Sequence, residues 1–151
     1  MDAFVTGGSG FVGTHLLERL ESEDGIDAVR ALARSKESAR VVEACGATAV
    51  RGDLSDVESM IDGMCDCDTV FHLAAKADRW GRHENFAEVN VRGTENVVQA
   101  AREAGVETLV HTSTEAVLAD GTPLRNVDET TRYSDDPISR YPETNGEAKK
   151  R

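Results

Sequence analysis

The chain has 151 residues, which is enough for one domain with a sizeable core. Its formal net charge of -11 argues against nucleic acid as a partner, because nucleic-acid binding needs a basic face. No apolar run approaches the roughly 18 residues of a membrane span, so we expect no membrane partner and a soluble, cytoplasmic protein. The 28 acidic residues suit a halophilic protein kept soluble in high salt and an ordinary acidic protein about equally well.

Apolar spacing and glycine positions predict strands that alternate with helices along the chain. The predicted strands cover residues 3–6, 27–33, 48–50, 68–73 and 107–111. The predicted helices cover residues 11–21, 36–45, 55–63, 85–104 and a last helix at residues 141–151. Ser55 and Glu58 are predicted to form a capping box on the third helix. Residues 112–140 are predicted to be irregular, and so long a loop in a compact domain is usually functional.

This alternation predicts an α/β fold, a doubly wound parallel sheet with strand order 3-2-1-4-5. Ligands of such sheets lie where the order reverses, here at the carboxyl ends of strands one and four. The sequence supplies five strands, whereas a complete dinucleotide-binding fold normally adds a sixth. We therefore expect one domain over residues 1–151 that is truncated after the fifth strand.

A glycine-rich stretch over residues 6–13 lies between the first strand and the first helix. In such a stretch Gly7 permits a tight turn, Gly10 lets the backbone approach a pyrophosphate, and Gly13 lets the helix pack closely on the strand. The helix then directs its unpaired N–H groups and positive dipole end at the bound anion. The stretch predicts a phosphate-binding site, and the alternative is a glycine-rich loop without a ligand.

The end of the second strand carries Arg34, Ser35 and Lys36 in place of the acidic residue that would hold a ribose 2′-hydroxyl. Two cations and a hydroxyl suit a 2′-phosphate, so NADP is favoured over NAD, and the alternative is a solvated basic turn. Asp53, after the third strand, is predicted to accept a hydrogen bond from the adenine amino group, to cap the next helix, or to do both.

Three cysteines occur, at residues 45, 65 and 67. The number is odd and the N-terminal residues lead straight into a strand without a secretory signal, so we expect no disulfide framework. Cys65 and Cys67 have no second Cys or His pair at zinc spacing, so no metal site is predicted.

Five motifs carry a family resemblance: Thr6-Gly7-x-x-Gly10-x-x-Gly13, Gly52-Asp53-Leu54, His72-Leu73-Ala74-Ala75, Asn90-Val91-x-Gly93-Thr94, and Thr112-Ser113-Thr114 ahead of Tyr141. Together they resemble the extended short-chain dehydrogenase/reductase superfamily of NAD(P)-dependent epimerases, dehydratases and reductases. Residues 113–118 are more similar to the 3β-hydroxysteroid dehydrogenase and dihydroflavonol reductase branch than to the sugar epimerases. The resemblance covers the whole chain.

This resemblance implies a Rossmann-like domain that binds NADP or NAD and exchanges a hydride with the hydroxyl or carbonyl of a sugar- or steroid-like small molecule. The cofactor-binding residues that we expect on this basis and from the glycine stretch are Gly7, Gly10, Phe11, Val12, Gly13, Arg34, Asp53, Leu54, Leu73, Ala74, Ala75 and Asn90. For Asn90, a buried polar cap is an equally weighted alternative.

Tyr141 matches the family's catalytic tyrosine, which exchanges a proton with the substrate oxygen, and Thr114 matches the hydroxyl that steadies this oxygen. Ser113 is the second candidate for the Thr114 role. The family has a lysine four residues after the tyrosine, whose charge lowers the pKa of the phenol, but here this third catalytic position is Asn145. Lys149 lies about 6 Å further along the helix axis, too far to reach the same atoms.

The family's chains continue beyond this helix into a substrate domain, so we expect an N-terminal fragment or a truncated gene product. Its unfinished sheet edge favours association, with a homodimer as one expected state. The loop over residues 76–80 is expected to face the substrate, and the alternative is an ordinary surface loop. Asn145 keeps two alternatives to an enzyme open: a non-catalytic dinucleotide-binding module and an inactive remnant.

Overall fold

A parallel sheet of five strands forms the centre of the computed structural model, which describes residues 1–78 and 80–150. Its strands are β1 (Asp2–Thr6), β2 (Ala28–Ala33), β3 (Thr48–Arg51), β4 (Thr69–His72) and β5 (Thr108–His111). The order across the sheet is β3-β2-β1-β4-β5, and all four pairings are parallel. This confirms the predicted doubly wound topology, with the order reversing between β1 and β4.

The helices follow the predicted alternation with the strands. They are α1 (Phe11–Glu21), α2 (Lys36–Ala44), α3 (Val57–Met64), α4 (His83–Ala87), α5 (Gly93–Glu103) and α6 (Arg140–Ala148). A π-helical segment, Glu88–Arg92, joins α4 to α5, so the single helix predicted over residues 85–104 is interrupted. A 3₁₀ turn, Glu115–Leu118, interrupts the stretch predicted as irregular. No helix in the described ranges combines the length and apolar character needed to span a membrane.

The predicted capping box at Ser55 is wrong. Helix α3 begins at Val57, and its N-cap is Asp56, whose carboxylate accepts a hydrogen bond from the Ser59 N–H at 3.1 Å. The Ser55 N–H and hydroxyl both donate to Asp53 instead, at 2.8 and 2.6 Å. Ser55 therefore belongs to a turn ahead of the helix, because a preceding aspartate competes successfully for its hydrogen bonds.

Strand β1 is the centre of the core because its side chains are buried on both faces of the sheet. Ala3 and Val5 pack with Leu17 on the side of α1 and α2. Phe4, on the opposite face, packs with Met60 and other side chains of α3 and α5. A central strand that is buried on both faces is typical of a sheet covered by helices on both sides.

Strand β5 lies at one end of the sheet order, where the side chain of Val110 is 43% exposed. An exposed apolar residue on an edge strand favours association. The homodimer stays a prediction.

Candidate functional site

The turn after β1 is shaped by Gly7, whose φ of 73° lies in the left-handed region. A Cβ atom at residue 7 would lie 2.6 Å from the backbone nitrogen of Ala74, in the segment that follows β4. The Gly10 N–H donates to the Gly7 carbonyl at 3.0 Å and closes the turn. Glycine at residue 7 therefore lets this turn lie directly against the backbone beyond β4.

Gly13, in the first turn of α1, packs on the same turn. A Cβ atom there would lie 2.2 Å from the Gly7 carbonyl oxygen and 2.7 Å from the Gly8 Cα. Gly10 is the N-cap of α1, and among the described residues no side chain makes a hydrogen bond that caps this N-terminus. The first N–H groups of α1 and its positive dipole end therefore favour an anion next to Gly10, and a dinucleotide pyrophosphate fits this requirement.

A groove of about 540 Å³ runs along the carboxyl ends of neighbouring strands. Gly7 follows β1, Arg34 follows β2, Gly52 follows β3 and Leu73 follows β4, and all of them line the groove. Eight of the predicted cofactor residues line it: Gly7, Gly10, Arg34, Asp53, Leu54, Leu73, Ala74 and Ala75. The structure therefore brings together residues that the sequence places in four separate motifs.

The other predicted cofactor residues are not among the groove's lining residues. Phe11 and Val12 project into solvent at the start of α1, with exposed fractions of 83% and 56%. Gly13 is buried beneath the turn, and Asn90 is buried next to Val89, which does line the groove.

The Arg34 end of the groove lies at the N-terminus of α2. Ser35 caps α2 through a reciprocal pair of bonds: the Ser38 N–H donates to the Ser35 hydroxyl at 3.0 Å, and the Ser35 N–H donates to the Ser38 hydroxyl at 2.9 Å. The Ser35 hydroxyl is thus used in the helix cap. Arg34 and Lys36 are exposed, so two cations flank a helix N-terminus at this end of the groove.

Asp53 holds a turn and lines the groove at once. Its bond from the Ser55 hydroxyl is the main cause of its lowered pKa, the Ser55 N–H adds to this, and the positive charge of Arg34 lowers the pKa further. The carboxylate is therefore ionised at neutral pH and can accept a hydrogen bond from a ligand amine. The cap on α3 is Asp56, so Asp53 supports the turn ahead of that helix rather than its first turn.

His72 ends β4 and connects β1 to α5 through its two ring nitrogens. Its Nδ1 lies 2.6 Å from the Thr6 hydroxyl oxygen, and its Nε2 lies 2.9 Å from the Thr94 hydroxyl oxygen. Because the Thr94 hydroxyl donates to the Asn90 carbonyl at 2.7 Å, it accepts from the His72 Nε2–H. Nδ1 is then the acceptor for the Thr6 hydroxyl, and the network assigns one neutral tautomer.

The same network orients the loop that touches the glycine turn. Thr6 accepts a hydrogen bond from the Ala74 N–H at 3.3 Å, so the backbone at the groove is connected to His72. Burial lowers the pKa of His72 to about 3, and the nearby ring of His111 contributes a smaller part. His72 is therefore neutral at physiological pH and positions the groove's backbone.

Asn90 joins the loop after β4 to α6. Its Oδ1 accepts from the Lys76 N–H at 2.7 Å, and its Nδ2 donates to the Lys76 carbonyl at 3.1 Å and to the Thr144 hydroxyl at 2.9 Å. It lies within the π-helical segment, a type of distortion that is frequent at functional sites. These contacts make Asn90 a buried link between the loop after β4 and α6, and its predicted part in cofactor binding stays a prediction.

Thr114 and Tyr141 lie on two elements that pack together, the 3₁₀ turn and α6. Thr114 is the N-cap of the 3₁₀ turn and accepts from the Ala116 N–H at 3.2 Å. Tyr141 lies in the first turn of α6 and is half-buried. The buried Ser113 hydroxyl has no hydrogen-bond partner in the part of the chain that the structure describes.

Asn145 is 3% exposed, and its Nδ2 donates to the Tyr141 carbonyl at 2.9 Å. Its amide is thus used within α6, one turn after Tyr141. Lys149 does not replace the missing lysine, since its ammonium nitrogen lies over the ring of Tyr133, 5.0 Å from the ring centroid.

The loop after β4 divides into an anchored part and an exposed part. The backbone of Lys76 is held by Asn90, whereas the Trp80 side chain is 88% exposed. Arg79 lies outside the described residues. The predicted substrate-facing role of residues 76–80 stays a prediction.

Comparison with known proteins places this geometry in one family. The model of the 3-beta hydroxysteroid dehydrogenase/isomerase family matches residues 4–151. The chain belongs to this family. The predicted resemblance to the hydroxysteroid dehydrogenase branch is thereby confirmed.

Similar curated proteins include enzymes that act on ketones and steroids according to their names. The chain is 47% identical over 148 residues to the 4-hydroxy-2-methyl-3-oxo-4-farnesyl-3,4-dihydroquinoline-1-oxide ketoreductase of Stigmatella aurantiaca, covering 98% of this chain and 44% of that protein. It is 35% identical over 158 residues to a 3-beta-hydroxysteroid dehydrogenase of Mycolicibacterium neoaurum, covering 97% of this chain and 41% of that protein. This family member thus spans less than half the length of these relatives.

Solved structures show the same fold. The dTDP-glucose 4,6-dehydratase DesIV of Streptomyces venezuelae, solved with NAD bound, matches with a TM-score of 0.84 and 27% identity, covering 98% of this chain and 49% of that one. The UDP-glucuronic acid 4-epimerase of Bacillus cereus matches with a TM-score of 0.82, 22% identity and coverage of 99% and 50%. At that identity the second likeness supports the fold alone.

Several groove-lining residues of this family member were not predicted: Ser9, Leu32, Ser38, Gly52, Ser55, Glu88, Val89 and Asn96. Ser9 lies inside the glycine-rich stretch and Gly52 inside the Gly52-Asp53-Leu54 motif, so the sequence motifs alone indicate that both lie near the groove. Glu88 and Val89 were hidden because the π-helical segment changes the helical register there. Asn96 is placed by a tertiary contact, the hydrogen bond from its Nδ2 to the Leu54 carbonyl at 2.8 Å.

Proposed function

We propose that residues 1–151 form the NAD(P)-binding domain of an oxidoreductase that moves a hydride between nicotinamide and a hydroxyl or carbonyl carbon of a small molecule. The observation that carries this proposal is the groove along the carboxyl ends of four parallel strands, which begins at the uncapped N-terminus of α1. A cytoplasmic location belongs to the same proposal. Activity in high salt belongs to it as well and rests on the acidic composition.

A ketone carbonyl on a largely apolar molecule is the substrate group that the relatives favour. Their names include a dihydroquinoline-oxide ketoreductase, a 2-alkyl-3-oxoalkanoate reductase and a 3-beta-hydroxysteroid dehydrogenase. These substrates share a carbonyl or secondary hydroxyl beside an apolar skeleton.

Bound NADPH would supply the hydride, and the chain's own residues have separate tasks around it. Arg34 and Lys36 bind the 2′-phosphate, and the N-terminus of α1 binds the pyrophosphate. The Tyr141 hydroxyl moves a proton at the substrate oxygen, and the Thr114 hydroxyl donates a hydrogen bond to that oxygen.

Replacing Arg34 with glutamine should weaken NADPH binding by about 10- to 100-fold and leave NADH binding nearly unchanged. A charge-assisted hydrogen bond contributes about 1.5–3 kcal/mol, and only NADPH carries the 2′-phosphate that would receive it. Titration of each nucleotide by fluorescence gives the two dissociation constants.

Arg40→Gln is the matched control, because Arg40 is also an exposed arginine but lies on α2 and does not line the groove. It should leave both dissociation constants unchanged. An equal loss for NADPH and NADH in Arg34→Gln would contradict the NADP assignment, and failure of the unaltered chain to bind either nucleotide would contradict the cofactor-binding role itself.

Asn145 favours a second candidate function, a dinucleotide-binding module that does not catalyse the reaction. The amide is buried and bonded to the Tyr141 carbonyl, and it places no positive charge one turn from the tyrosine. A proton-transferring residue contributes about 10² to 10⁴ in rate, so without the supporting charge this chain would bind the dinucleotide and turn over slowly or not at all.

Asn145→Lys should raise carbonyl reduction on the order of 10²-fold if the chain is an enzyme that lacks only this charge. NADPH oxidation is followed with a 2-alkyl-3-oxoalkanoate and with a 3-oxosteroid. The assay uses this chain alone and with the remaining part of the Stigmatella aurantiaca relative appended. Asn145→Met, which has similar length and no charge, is the control. Turnover by the unaltered chain would instead exclude the module.

A further inference from the structure

We infer that His83, Glu143 and Glu147 form a binding site for a divalent transition-metal ion between α4 and α6. One ligand atom from each residue lies within 4.8 Å of the others. The Nε2 atom of His83 lies 3.7 Å from Oε1 of Glu143. Tetrahedral zinc with bonds of about 2.0–2.1 Å holds its ligand atoms about 3.3 Å apart, so small side-chain rotations complete the site.

The donor set selects the class of ion. One imidazole nitrogen and two carboxylates match the ligands that proteins offer to zinc and similar ions, and a water molecule then completes a four-coordinate shell. Magnesium and calcium prefer oxygen ligands alone, so His83 disfavours them. Zn²⁺ is therefore the probe for this site.

The fold brings the three residues together across two packed elements. Glu143 and Glu147 are four positions apart on α6 and face the same side of the helix. His83 begins α4, which packs against α6. The Arg140 guanidinium donates to Oε2 of Glu143 at 2.9 Å and so orients Oε1 toward His83, as outer residues orient metal ligands elsewhere.

An ion at this site would join α4, which follows the loop after β4, to α6, the helix that carries Tyr141. The site is separate from the groove, since none of its residues lines the groove. It was missed in the sequence because His83 and Glu143 are far apart in the chain, so no local spacing indicates it.

The test is calorimetric titration of the chelator-treated chain with ZnCl₂, together with thermal unfolding. One equivalent should bind, and a Zn²⁺ concentration tenfold above Kd should raise Tm by roughly 3–6 °C. MgCl₂ should give no such shift.

His83→Ala and Glu147→Gln should each weaken Zn²⁺ binding tenfold or more. The controls His15→Ala and Glu18→Gln, at exposed positions on α1, should bind like the unaltered chain.

The free thiols of Cys45, Cys65 and Cys67 are the competing zinc ligands. A variant with all three changed to alanine should keep the Zn²⁺ affinity. The inference is overturned if the unaltered chain binds no Zn²⁺, or if His83→Ala and Glu147→Gln both retain full affinity; loss of affinity in the alanine variant would then assign the ion to the thiols. Glu147 is exposed, so Glu147→Gln removes a ligand without disturbing the core.

Discussion

Gly13→Ala should abolish dinucleotide binding and lower the free energy of unfolding by about 3 kcal/mol or more. The added Cβ atom would lie 2.2 Å from the Gly7 carbonyl oxygen, and backbone atoms cannot rotate away as a side chain can. Either α1 moves off the end of β1 or the turn changes shape, and both remove the N–H groups that are proposed to face the pyrophosphate. Urea denaturation and NADPH titration measure the two effects.

Gly146→Ala is the matched control for this prediction. Gly146 lies within α6, and apart from the helix's own backbone a Cβ atom there would meet no atom of the described residues within 4 Å. Alanine should raise the free energy of unfolding by about 0.5–1 kcal/mol, because glycine in a helix costs that much relative to alanine. If Gly13→Ala binds NADPH normally and unfolds at the same urea concentration, the close packing of α1 on the turn is not required.

The sheet was predictable because its signals are local. Apolar runs, a glycine after each of several helices and the alternation of elements determine a doubly wound order without knowledge of any contact. Gly7 and Gly13 were predictable for the same reason, since their spacing depends on one turn between β1 and α1. The helix over residues 85–104 was misjudged because only the backbone geometry reveals the π-helical segment that interrupts it.

The candidate site was predictable where a motif ends a strand, and it was not predictable where partners are distant. Ser55 illustrates the limit: its sequence fits an N-cap, but Asp53 takes its hydrogen bonds. Asn90 illustrates the other case, since its contacts with Lys76 and Thr144 come from separate elements. Such contacts cannot be predicted before the fold is known, because the local sequence does not indicate which element will pack against the residue.

Acidification should destabilise the fold through His72, removing about 3 kcal/mol of the free energy of unfolding between pH 7 and pH 4. Burial lowers the pKa of this imidazole from 6.5 to about 3 in the folded chain, with a smaller contribution from His111. The unfolded chain therefore takes up a proton below pH 6.5, whereas the folded chain stays neutral here until about pH 3. The stabilisation is present above pH 6.5 and is lost progressively as the pH falls.

Carboxylates also titrate in this range, so the test compares variants rather than one curve. In His72→Gln the loss of stability between pH 7 and pH 4 should be smaller by about 3 kcal/mol, although the variant starts from a lower value at pH 7. His15→Gln, at an exposed position on α1, should keep the full pH dependence. Equal pH dependence in the unaltered chain and in His72→Gln would show that the His72 imidazole is not kept neutral in the folded chain. The Thr6–His72–Thr94 network would then not explain how the backbone at Ala74 is held against the glycine turn.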